Sequence, residues 1–204
     1  MGYYLRVLGS EDPDIHIDEL IEALSIDGLS VNFKLDPNEV PNKWTILEIL
    51  NPDGAPLAQV ERNPVIEGEL GFIELNEFRE IIQDYQPSTA VSWLTDYFQK
   101  VKVIYAFQML NASFNDGNFE IVASVRSKIW NKTKGILQAD HEGFTNADGF
   151  HILWQFAEGV TGEWSCAVKN ENGQWNNFMM DLGDKIQRQE FKGGNVPKNA
   201  RLLH

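Results

Sequence analysis

Cysteine is almost missing from this 204-residue chain: Cys166 stands alone, which excludes an intramolecular disulfide and suits a reducing compartment. Histidine is nearly as scarce. His16, His141, His151 and His204 share no spacing rule, which removes the common zinc patterns. No stretch approaches the roughly 18–20 consecutive apolar residues that cross a bilayer. The opening Tyr3-Tyr4-Leu5-Arg6-Val7-Leu8 reads as a strand rather than as the apolar region of a secretory signal, so the cytoplasm is the default setting. There is no G-x-S-x-G elbow, P-loop, G-x-G-x-x-G or H-E-x-x-H. The familiar hydrolases, nucleotide-binding proteins and zinc proteases are thereby disfavoured, and no cofactor or metal is expected.

Positive charge is also in short supply. Lys and Arg number 17 against 30 Asp and Glu, a formal net charge of -13. Such a field repels phosphate backbones and anionic membrane surfaces and attracts a basic protein. The plainer alternative is that excess acid only keeps the chain in solution. The deficit is uneven. Residues 184–204 hold Lys185, Arg188, Lys192, Lys198 and Arg201 against Asp184 and Glu190, a net of +3, which leaves -16 on the other 183 residues. This cationic end either folds back on an acidic body or stays a loop, and Gly193-Gly194-Asn195-Val196-Pro197 favours the loop.

What is present is a clear alternation of patterns. After the first strand, Ile17, Leu20, Ile21 and Leu24 fall at i, i+3, i+4 and i+7, an apolar helical stripe with acids on the other flank. Trp44–Leu50 and Leu57–Arg62 read as strands joined by Asn51-Pro52-Asp53-Gly54, good turn chemistry. Leu75, Phe78, Ile81, Ile82 and Tyr85 mark a second helix that Pro87 must end; Ser88 or Thr89 can cap a third. Residues 101–110 form an almost continuous apolar run, as in a central strand covered on both faces. A helix with Phe119, Val122, Val125 and Ile129 follows and ends at Gly135. Two further hairpins are expected, 136–144 with 150–156 and 164–169 with 174–180, the second turning on Asn172-Gly173.

The order predicts an α+β protein with an antiparallel or mixed sheet and helices on one face. Two ferredoxin-like βαββ halves are one arrangement of it, divided into residues 1–100 and 101–183, with 184–204 as a basic tail of loop or partial disorder.

Chemistry is thinly signalled. In Gln138-Ala139-Asp140-His141-Glu142-Gly143, a continuous strand would put Asp140 and Glu142 on one face, about 7 Å apart, with His151 reachable across the hairpin. Asp140, His141, Glu142 and His151 are the candidates for an enzyme or metal-binding protein, against the plain reading of a solvated strand end. Cys166 alternates with Trp164 and Val168 and reads as a small core residue.

A non-catalytic binding role has more support. Residues 11–22 carry six acids and no base, among them Asp14, Asp18, Glu19 and Glu22. Glu74, Glu77, Glu80 and Asp84 gather on the second helix and just beyond. On a shared face these would steer a basic protein partner, as small acidic bacterial proteins that neutralise basic toxins do in general terms. Trp44 and Trp175, near turn ends, are the expected exposed anchors. A structural or oligomer-forming subunit is the third reading; oligomeric state is not legible.

Overall fold

The computed structural model describes residues 3–203. In chain order the elements are β1 (Tyr3–Gly9), α1 (Ile17–Ile26), β2 (Asn32–Leu35), β3 (Ile46–Leu50), β4 (Pro56–Pro64), α2 (Leu70–Ile81), α3 (Ser88–Phe98), β5 (Val103–Met109), α4 (Asn118–Thr133), β6 (Ile136–Ala139), β7 (Gly143–Thr145), β8 (His151–Trp154), β9 (Glu163–Lys169), β10 (Trp175–Asp181), α5 (Lys185–Lys192) and β11 (Arg201–Leu203). The class is α+β with mixed strand pairing. Among the described residues no helix is long and apolar enough to cross a membrane.

The chain folds into two compact units, and they do not divide at residue 100. One comprises Met1–Ile73 and Val101–Gly135; the other comprises Glu74–Lys100 and Ile136–His204. The cause lies in β5. Its apolar run inserts between β1 and β4, antiparallel to both, with Leu5 opposite Phe107 and Val60 opposite the same residue. The first unit therefore needs the segment that follows residue 100.

In this first unit the strand order is β1-β5-β4-β3-β2. The ferredoxin-like pairing is not confirmed: β1 neighbours β5 rather than β2, β3 or β4 of the first half. The β3–β4 turn forms as the sequence predicts: Gly54 sits at φ +86°, and Asn51 Oδ1 accepts from the Ala55 N–H at 2.8 Å. Val103, Ile104, Tyr105, Ala106, Phe107 and Met109 are all buried. Helix α1 packs on α4 and buries Leu20 and Leu24. Helix α4 ends with Lys134, not glycine, in the left-handed region at φ +48°. Gly135 is needed for a different reason: a Cβ there would stand 2.9 Å from Val7 Cγ1 and 3.0 Å from Leu8 O.

The second unit lays its strands side by side as β6-β7-β8-β9-β10-β11. Neighbours are antiparallel except β8 and β9, which pair in parallel at His151 and Cys166. Trp154, Cys166, Val168, Phe178, Met180, Leu182 and Phe191 form its core, with Phe156 and Val160 packed against it. The basic C-terminal segment is ordered structure rather than loop. Asp184 caps α5 by accepting from the N–H groups of Ile186 and Gln187, Phe191 buries one side of the helix, and β11 pairs with β10.

Candidate functional site

On α1, Asp18 and Glu22 lie one turn apart, and Asp14 precedes them at the same spacing. All three are exposed, and none forms an ion pair among the described residues. Their acidic neighbours are already engaged. Lys134 Nζ reaches Glu11 Oε1 at 2.6 Å, Arg62 Nη2 reaches Asp12 Oδ2 at 2.5 Å, and Lys132 pairs with Glu19. The bond from Lys132 holds the Glu19 carboxyl below its ordinary value. The same helix exposes two aliphatic side chains, Ile21 at 44% and Ile26 at 78%. Beside them a groove of about 440 Å³ runs between α1 and α4, lined by Glu22, Ile26, Asp27, Ser124 and Lys128. Ser124 Oγ donates to Asp27 Oδ2 at 2.7 Å. Exposed aliphatics bordered by charge are the makings of an interface.

In the second set of acids, Glu77 and Glu80 are exposed on α2, Glu74 is half-buried there, and Asp84 is exposed in the short turn that follows. Glu77, Glu80 and Asp84 belong to the second unit and Asp14, Asp18 and Glu22 to the first.

The residues expected on one strand face occupy a turn instead. β6 stops at Ala139 and β7 starts at Gly143, so Asp140, His141 and Glu142 connect a hairpin. His141 takes φ +63° and is exposed; Asp140 and Glu142 are half-buried. His151 lies on β8 opposite Thr145 and is only 2% exposed. Its ring meets those of Phe156, Phe191 and Trp164 at centroid distances of 4.6, 6.3 and 6.4 Å. Burial pushes its pKa down to about 3, which a hydrogen bond to the Leu153 backbone offsets only in part. It is a neutral imidazole whose Nε2 has no hydrogen-bond partner among the described residues. Among the described residues no three His, Cys, Asp or Glu side chains gather as metal ligands. Cys166 is fully buried, and burial pushes its thiol pKa up, away from the thiolate.

Of the two tryptophans expected as exposed anchors, Trp44 lies in the core of the first unit. It is 2% exposed, its ring is edge-on to Tyr105 at 5.6 Å, and its indole N–H donates to Ile15 O at 2.9 Å. An indole supplies more buried area than a strand start would normally offer, and the Ile15 carbonyl satisfies its one polar atom. Trp175 is half-buried, 5.2 Å from Trp93, with Lys169 Nζ 5.6 Å from its ring.

The sequence pattern did not single out the basic row on α5. Gln187 and Phe191 face inward, which leaves Lys185, Arg188 and Lys192 at i, i+3 and i+7 along the adjoining flank. Lys192 Nζ is 4.9 Å and Arg188 Cζ 5.7 Å from the ring of Trp154, in a cleft of about 720 Å³ that Tyr85 and Phe156 also line. The signal was there to read: Asp184 as cap, Gln187 and Phe191 one turn apart, and a glycine pair after Lys192.

The chain matches no family model, no curated protein and no solved structure.

Proposed function

We propose that this is a non-catalytic binding protein, acting in the cytoplasm, whose acidic α1 flank engages a basic protein partner. One observation carries the reading: Asp14, Asp18 and Glu22 are exposed and form no ion pair among the described residues, on a stretch that also exposes Ile21 and Ile26, while the other acids there are engaged by Lys134, Arg62 and Lys132. Lysine or arginine on a partner would meet the free carboxylates, and an apolar side chain would cover the isoleucines. The carboxylates then set the encounter rate and its salt dependence, and the aliphatic contact sets the lifetime. Glu77, Glu80 and Asp84 supply a second negative surface in the other unit.

Affinity capture on the immobilised full-length protein tests this. A basic protein should be retained at low ionic strength and released as salt shortens the screening length to about 3 Å near 1 M. The Asp18→Asn/Glu22→Gln variant should retain less of it. Retention that ignores both salt and these substitutions would overturn the reading.

A further inference from the structure

The basic row on α5 is set apart from the ion-paired cations of the molecule by its gathering along one cleft. Lys34, Arg62, Lys132 and Lys134 each sit against a carboxylate. Lys185, Arg188 and Lys192 form no ion pair among the described residues. The second unit contains fourteen Asp and Glu against eight Lys and Arg, a net of -6, and three of those eight bases converge on one cleft. In an acidic body, cations that gather in a concavity in excess of the acids lining it are poised for an anion from outside.

Arg188 is held in place. Its guanidinium donates to Val160 O at 3.0 Å and, by a short bond, to Leu182 O, and it lies near the face of Trp154. These neutral acceptors fix the group without cancelling its charge, so little ordering remains to be done when a ligand arrives. Lys192 shares the same ring. The strand order explains the floor: β8 delivers Trp154, whose backbone N–H donates to Gln86 O at 2.9 Å.

We propose that this cleft binds a small ring-bearing anion, an aromatic or heterocyclic group carrying one phosphate or carboxylate. Its volume of about 720 Å³ is in the range of small-molecule sites. The exposed Tyr85 and the half-buried Phe156 offer apolar ring surface, beside the edge of Trp154 that lines the cleft. Asp84 and Glu158 also line the cleft, so its local balance is +1. That balance admits a single anionic group and disfavours a polyphosphate. The site is separate from the acidic α1 flank and stands or falls without it.

Calorimetry on the full-length protein decides the matter with four probes: adenosine monophosphate, para-hydroxyphenylacetate, adenosine and inorganic phosphate. At least one of the two ring-bearing anions should bind saturably. Adenosine and inorganic phosphate should each bind about tenfold more weakly or worse, because each lacks one half of the recognition. Lys185→Gln/Lys192→Gln should weaken the ring-bearing anion by about tenfold with the melting temperature unchanged. Lys198→Gln, outside the cleft, should leave it unaltered. Failure of both ring-bearing anions to bind, equal binding of phosphate alone, or undiminished binding by the double variant would each overturn the proposal.

Discussion

The imidazole of His151 lies 4.6 Å, centroid to centroid, from the ring of Phe156, with Nε2 sealed from water and without a hydrogen-bond partner among the described residues. Two aromatic neighbours, Trp164 and Phe191, complete an enclosure with no counter-charge among its ring contacts. Histidine here costs the fold something that a hydrocarbon ring would not.

That cost should appear as a pH dependence. The folded-state value is about 3 against 6.5 for a free side chain, so between these limits the unfolded chain binds a proton that the folded chain refuses. The stability tied to the neutral ring is complete above the unfolded value and is lost as pH falls through the interval toward the folded one. Over that interval the wild type should lose about 1 kcal/mol more per pH unit than His151→Phe. Urea denaturation of both proteins at a series of pH values measures it. Parallel curves would mean that the imidazole is not held neutral.

Trp44 should behave as a core residue. Replacing it with alanine removes a buried indole and leaves the Ile15 carbonyl without its donor. A loss of about 4 kcal/mol is expected. Trp44→Phe keeps most of the volume and should cost less than half as much. Denaturant titration followed by circular dichroism checks both; a change of under about 1 kcal/mol in the alanine variant contradicts the buried placement.

Asp184 should govern the basic row through the helix that carries it. Asp184→Ala removes the acceptor for the Ile186 and Gln187 N–H groups, at 2.8 and 3.2 Å. Stability should fall by about 1 kcal/mol, and amides of α5 should exchange faster while those of β5 do not. Hydrogen exchange resolved by segment distinguishes this from general destabilisation.

Local structure was legible in the sequence wherever a short pattern decided it. Asn51-Pro52-Asp53-Gly54 and Asn172-Gly173 each turn a hairpin whose strands match expectation to within about two residues. The run at 136–144 misled because nothing in its hydrophobicity reveals the break at Asp140-His141-Glu142. That break is made by backbone, with positive φ at His141 and again at Gly143, where a Cβ would stand 2.3 Å from Leu153 O. The C-terminal helix is only weakly marked by hydrophobicity, since six of its eight residues are polar or charged and a single Phe191 supplies its large buried anchor; its cap and spacing are the readable signs. The division into units could not be read at all. Periodicity identifies the strand at Val103–Met109, but its choice of β1 and β4 as neighbours is a pairing across tens of residues that no local pattern encodes.

Because each unit is assembled from two separated stretches of chain, their completion is ordered in time during synthesis. The first unit cannot close until the stretch ending at Gly135 has left the ribosome, and Glu74–Lys100 must wait for partners made still later. A nascent chain halted at Lys100 would expose the β4 edge that β5 later covers, an invitation to wrong pairing that a chaperone, or fast elongation through the next thirty-five residues, would have to manage.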